Sequence, residues 1–299
     1  MRIFVTGATG FIGSAIVQEL NNAGHQVNGL ARSDEAAKSL IAAGAEVHRG
    51  DLEDLESLRS GASLSDGVIH TGFIHDFSKF KEVCETDQHA IEALGSALVG
   101  SNRPLVITSG IGILPPGGLA TEETMPASGP TSHPRAASEK AADSVAARGG
   151  RVSVVRLPPS VHGDGDHGFV PTLIRIAREK SVSVYAGDGL NRWPAVHRLD
   201  AARLFRLAIE KSSAAGTRYH GVAEEGIAFR AIAEVIGRQL NIPVVSRSPE
   251  AAAQHFGWFA HFAAMNTPAS SVRTREMLGW QPKQPRLIAD IDRPRYFET

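Results

Sequence analysis

MRIFVTGATGFIG, residues 1–13, decides how the rest of the chain is read. An apolar run at 3–5 enters a turn marked by Gly7, Gly10 and Gly13, and a helical pattern, SAIVQELNNAG, follows at once. Strand, tight turn and helix start in that order suit a diphosphate. Gly7 permits the sharp turn, Gly10 lets backbone approach a ligand, and Gly13 lets the helix pack closely on the strand. The N–H groups of the first helical turn then face the phosphates. Glycine triplets also occur in purely structural strand–helix turns. The strand before this G-x-x-G-x-x-G and the helix after it mark a dinucleotide-binding turn.

Outward from the turn, strand-like and helix-like segments alternate. Strands are expected at 2–6, 26–31, 45–49, 67–71, 105–109 and 152–157, with helices at 13–23, 34–43, 54–60, 77–98 and 134–148 between them. This rhythm predicts an α/β fold, a Rossmann-type doubly wound parallel sheet with helices on both faces. From Pro158 the rhythm breaks into PPSVHGDGDHGFVP, a loop leaving the carboxyl edge of a strand, where such sheets bind ligands. Further helices are expected at 170–180, 201–210, 229–240 and 249–264, and strands at 183–186 and 219–222. The reading is a dinucleotide-binding domain at 1–157, with 190–212 returning to it, and a smaller, interleaved substrate domain at 158–299.

Composition narrows the class. The 299 residues are 42% hydrophobic and 21% charged, with a net charge of −1, so no general attraction to nucleic acid or membrane is expected. One cysteine, Cys84, excludes an intrachain disulfide framework and fits a cytoplasmic setting. No apolar run spans a bilayer, and the N-terminal run is too short for a signal peptide.

The chain resembles the extended short-chain dehydrogenase/reductase superfamily, in its NAD-dependent epimerase/dehydratase-like branch. The residues that carry this are Thr6 to Gly13 (TGATGFIG), Asp51 and Leu52, Val68 to Gly72 (VIHTG), Thr108 and Ser109, Lys140, RLPPSVHG at 156–163 and VHRLD at 196–200. They span about two-thirds of the chain in the family's order. The resemblance implies that Thr6, Gly7, Thr9, Gly10, Phe11, Ile12 and Gly13 surround the diphosphate. It implies that Asp51 and Leu52 line the adenine, that Thr71 and Gly72 back the phosphates and ribose, and that Lys140 holds the nicotinamide ribose. Leu157, Pro158 and Ser160 would lie beside the nicotinamide. Asp51 also reads as a simple N-cap for the helix it precedes.

Which dinucleotide enters depends on the end of the second strand. NAD-selective sites place an acid there for the ribose 2′-hydroxyl. Here the sequence is Ala31-Arg32-Ser33. A guanidinium fork beside a hydroxyl suits a 2′-phosphate, which favours NADP over NAD.

The family's usual chemistry draws a proton from a tyrosine four residues before the lysine, while a Ser or Thr after the fifth strand holds the carbonyl oxygen. Counted from Lys140, the tyrosine position is Ala136, which has nothing to titrate. Thr108 and Ser109 remain to polarise an oxygen, or are plain strand-end hydroxyls. His133, seven residues before Lys140 and at the expected helix cap, is a candidate proton donor or a surface histidine at a loop–helix junction. His75 and His162 are candidate substrate contacts. Trp193 reads as a pocket wall or as core, as do Phe259 and Phe262. No metal site is expected, since no further ligand signature accompanies the His/Asp loop.

Three functions follow. One is an NADP-dependent oxidoreductase acting on a small organic carbonyl. The second is a non-catalytic NADP(H)-binding redox sensor. The third is an epimerase or dehydratase that keeps its cofactor. A homodimer is expected only by analogy of fold.

Overall fold

Ile3, Phe4 and Val5 are fully buried, because the strand they form lies in the interior of a sheet covered on both faces. The computed structural model describes residues 1–129, 132–211 and 214–298. In chain order the elements are β1 (Arg2–Thr6), α1 (Phe11–Asn22), β2 (Gln26–Ala31), α2 (Asp34–Ala42), β3 (Glu46–Arg49), α3 (Leu55–Ser63), β4 (Gly67–His70), α4 (Phe80–Ser96), β5 (Pro104–Gly110), α5 (Ala137–Ala147) and β6 (Arg151–Leu157). There follow β7 (Ser160–His162), α6 (Phe169–Lys180), β8 (Ser183–Ala186), β9 (Arg192–His197), α7 (Arg198–Lys211), β10 (Thr217–His220), β11 (Glu224–Ala228), α8 (Phe229–Leu240) and β12 (Val244–Arg247). The chain closes with α9 (Pro249–Phe256), α10 (Ala260–Ala263), α11 (Val272–Leu278) and α12 (Leu287–Ile291).

The main sheet has seven strands in the order β10-β6-β5-β4-β1-β2-β3, and every pairing is parallel. Its direction of growth reverses between β1 and β4, which opens a crevice at their carboxyl ends. Alternation along β1 feeds two cores. Ile3 and Val5 pack with Ile16 and Leu20 of α1 and Phe205 of α7, whereas Phe4 packs with Leu58, Ile91 and Val145 of α3, α4 and α5. Each such side chain contributes about 2 kcal/mol by leaving water.

The smaller region holds a three-stranded sheet, β11-β9-β7, a two-stranded sheet, β12-β8, and a separate core around Trp193, Phe229 and Phe259. Within 190–212, α7 packs on α1 of the main body, whereas β9 lies in the three-stranded sheet; β10 edges the main sheet. Two expectations shift. The expected helix at 249–264 breaks at Gly257, whose φ is +58°, into α9, a short 3-10 turn and α10. The helix expected at 134 opens as a 3-10 turn, Pro134–Ala136, before α5. Among the described residues no helix is long and apolar enough to cross a membrane.

Candidate functional site

The β1–α1 turn forms a cradle that only glycine permits. Gly7 has φ +66°, and a Cβ there would lie 2.6 Å from the Gly72 backbone nitrogen. A Cβ on Gly13 would lie 1.9 Å from the Gly7 carbonyl oxygen. Gly10 is the N-cap of α1, extended and without a side-chain cap, and the first turn carries no acid. The N–H groups and positive end of the helix are therefore open to an anion. These residues fit the diphosphate of a nicotinamide dinucleotide, with Thr9 exposed and Phe11 and Ile12 half-buried at the rim. Arg198, at the head of α7, places its guanidinium 4.8 Å from the Phe11 ring centre and donates to Ser14 Oγ at 3.1 Å. Sequence reading missed this cation as a neighbour of the cradle, although it lies inside the VHRLD string.

At the adenosine end, Thr71 Oγ1 donates to the Thr6 carbonyl at 2.8 Å, and Gly72 N–H donates to Thr6 Oγ1 at 3.2 Å. Leu52 approaches Gly72 so closely that a Cβ there would meet it at 2.9 Å. Asp51 Oδ1 accepts from the backbone of Glu53 and Asp54, which ties up the turn, while the N-cap of α3 is Asp54. Arg32 is exposed and has no carboxylate partner among the described residues. Ser33 beside it caps α2 by accepting from Ala36 N–H at 3.2 Å.

The reactive end departs from the sequence expectation. Lys140 is exposed on α5 and faces solvent. Ala136 is buried against Ile111, Ile113 and Leu114, so its side of the helix faces an apolar cluster. The residues turned inward are Arg135 and Glu139. Lys140 is thus corrected as a ribose-holding residue, and Ala136 as the place of the proton donor: one residue of helical rotation separates them from the inner face. The four-residue spacing counted back from Arg135 reaches Thr131, outside the described residues. Neither strand-end hydroxyl is open: Thr108 Oγ1 donates to the His70 carbonyl at 2.9 Å, and Ser109 is buried with its Oγ unpartnered among the described residues. Glu139 makes a bidentate pair with the fully buried Arg156, at 2.8 Å on both arms. Burial alone would raise that carboxyl; Arg156 more than offsets it and holds it below the usual range. His133 caps the 3-10 turn, its Nδ1 accepting from Arg135 N–H at 3.2 Å, with its ring 5.6 Å from that of Phe80. Burial, then the charges of His261 and Arg135, keep this imidazole below its ordinary pKa.

A buried chain runs from the cradle to Arg135. Thr6 Oγ1 meets His70 Nδ1 at 2.7 Å, and His70 Nε2 meets Asp87 Oδ1 at 3.1 Å. Ser138 Oγ donates to Asp87 Oδ2 at 2.6 Å, and Arg135 pairs with the same oxygen. As Asp87 only accepts, His70 donates to it through Nε2. His70 and Asp87 escaped notice because a histidine inside a strand and an acid inside a helix carry no motif.

The other candidates separate. His162 is buried and meets Asp290 Oδ2 through Nδ1 at 2.8 Å, which removes it from direct substrate contact. Trp193 is fully buried among Phe169, Phe229 and Phe259, so it is core and not a pocket wall. Leu157 and Pro158 are buried, and Ser160 is buried with its Oγ unpartnered among the described residues. His75 is exposed at the rim, 5.4 Å from the Phe73 ring. Partial desolvation of its ring, then the charges of Arg135 and His167, lower its pKa. Phe262, half-buried, stacks on Phe169 at 4.7 Å, and Trp258 beside it is largely exposed.

A switch-point crevice, a glycine cradle and an uncapped helix end define a Rossmann protein whose crevice fits a dinucleotide. The pattern of the NAD dependent epimerase/dehydratase family matches residues 3–220, and the chain belongs to that family. It is an NAD(P)-dependent oxidoreductase or related enzyme of the extended short-chain dehydrogenase/reductase type. An uncharacterized protein of Schizosaccharomyces pombe is 51% identical over 298 residues, covering 99% of this chain and 100% of that one. Another, of Saccharomyces cerevisiae, is 49% identical, covering 97% and 98%. The fold is similar to that of dTDP-glucose 4,6-dehydratase from Streptomyces venezuelae with NAD bound (TM-score 0.77, 20% identity, covering 99% and 97%).

Proposed function

We propose that this protein is a cytoplasmic, NADP(H)-dependent oxidoreductase that acts on a small organic carbonyl compound. The observation that carries the cofactor choice is Arg32, exposed without a carboxylate partner at the end of β2, where an NAD-selective site has an acid. When bound, the cofactor supplies hydride exchange at the nicotinamide. This chain's residues do the rest. His133, whose Nδ1 lone pair is taken by Arg135 N–H, presents Nε2–H toward the aromatic side of the cleft and donates a hydrogen bond to the carbonyl oxygen. Water supplies the proton. A neutral imidazole suits this electrophilic role, and its lowered pKa keeps it neutral near pH 7.

Fluorescence titration tests the cofactor: NADPH binds at least about tenfold more tightly than NADH, and Arg32→Ala removes the difference. Equal or tighter binding of NADH refutes it. Net consumption of NADPH with aromatic ketones separates a reductase from an epimerase, which returns its hydride. A sensor reading is favoured by one observation, the absence of an open strand-end hydroxyl at Thr108 and Ser109. It predicts tight NADPH binding with no turnover on any carbonyl in the panel.

A further inference from the structure

We propose that one edge of Arg135 is a carboxylate-binding fork, so that the substrate is a monoanionic oxo- or hydroxy-acid with an aromatic or apolar body. This rests on the oxidoreductase reading above. Arg135 Nη1 is taken by Asp87 Oδ2 and Ser138 Oγ. Nη2 gives one hydrogen to the Thr108 carbonyl at 3.1 Å. Phe73 covers a face of the guanidinium, 4.1 Å from ring centre to Cζ. An N–H on Nε and a second on Nη2 have no partner among the described residues. A guanidinium carries Nε and Nη2 on one edge, with parallel N–H bonds spaced for the two oxygens of a carboxylate. The side chain is only 13% exposed and is held on its other edge and one face, so little further ordering accompanies binding.

The surroundings set the rest of the ligand. Phe80 lies 6.4 Å from Phe73, and His133 lies 5.6 Å from Phe80, giving an aromatic wall beside the fork. His167 and His261, from the loop before α6 and from α10, come close enough for their charges to act on His75 and His133. Arg135 is a single cation already half answered by Asp87. It matches a carboxylate and falls short of a diphosphate, which calls for several cationic donors.

The test uses benzoylformate and acetophenone, which share an aryl ketone and differ by the carboxylate. Calorimetry is run on the full chain with and without NADP+. Benzoylformate binds at least about tenfold more tightly than acetophenone. Arg135→Lys, which keeps the charge but not the fork, reduces the ratio severalfold. The charge-balanced pair Asp87→Asn/Arg135→Gln brings it near one while keeping the circular dichroism of the fold. Equal affinities in the unaltered protein, or a ratio that survives both variants, overturns the proposal. So does a loss confined to NADP+ binding, which would assign the edge to the cofactor ribose. Failure of NADPH to bind at all strikes the cofactor reading instead, because the carboxylate preference is also measured without cofactor.

Discussion

Asp87→Asn removes the carboxylate that holds Arg135 in place, and the cost can be worked from the structure. Asp87 is 1% exposed. Burial raises its pKa, but Arg135, then His70 and Ser138, pull it from an ordinary 3.8 to about 2. A fall of that size is worth about 2–3 kcal/mol of folded stability at neutral pH. The folded value is depressed, so this stabilisation is complete above the unfolded value of 3.8 and is lost as pH falls toward about 2. Breaking one side of a buried pair costs about 3–5 kcal/mol, because the remaining cation is stranded. The two figures converge on a loss of about 3 kcal/mol, or about 6 °C in Tm for a chain of this length. Urea denaturation at neutral pH and again near pH 2 measures it; the deficit should shrink at the lower pH, where the native carboxyl takes up its proton too. Adding Arg135→Gln removes the stranded charge and should recover about 1 kcal/mol or more. A variant within about 0.5 kcal/mol of the original at neutral pH, or strict additivity in the double variant, would refute the chain from Thr6 to Arg135 as an energetic unit.

Gly13→Ala drives a Cβ into the Gly7 carbonyl at 1.9 Å, so NADPH binding should fall by about two orders of magnitude; unchanged affinity would mean the cradle is elsewhere. Lys140→Ala, on an exposed face, should leave stability within about 0.5 kcal/mol and NADPH affinity nearly unchanged, whereas Glu139→Gln weakens the pairing of buried Arg156 and should cost about 3 kcal/mol by thermal melting. Ala136→Tyr overpacks the Ile111, Ile113 and Leu114 cluster, and is expected to destabilise by about 1–3 kcal/mol without creating reductase activity. Asp166, raised to about 6 by burial despite the nearby His162, His167 and Tyr296, binds its proton more tightly in the folded state. The loop at 163–168 should therefore lose stability as pH rises through about 6, read as hydrogen exchange faster at pH 7.5 than at pH 5 after intrinsic correction, and Asp166→Asn should abolish the difference.

Much of the fold was legible because its signals are local. Alternating apolar and amphipathic runs, glycine at Gly7 and Gly13, and a basic side chain at Arg32 each act within a few residues of their own backbone. Those stretches by themselves determined the parallel sheet, the cradle and the expected cofactor class. What only the tertiary structure decided is which side chains turn inward. A difference of one residue along α5 rotates a side chain by about 100°, enough to exchange Lys140 for Glu139 and Ala136 for Arg135. Trp193 and His162 left the site for the same kind of reason: packing against Phe229 and pairing with Asp290 join residues far apart in the chain. Asp87 and His70 entered it through a contact between α4 and β4 that no local pattern announces, since burial and charge pairing are settled only when distant segments meet.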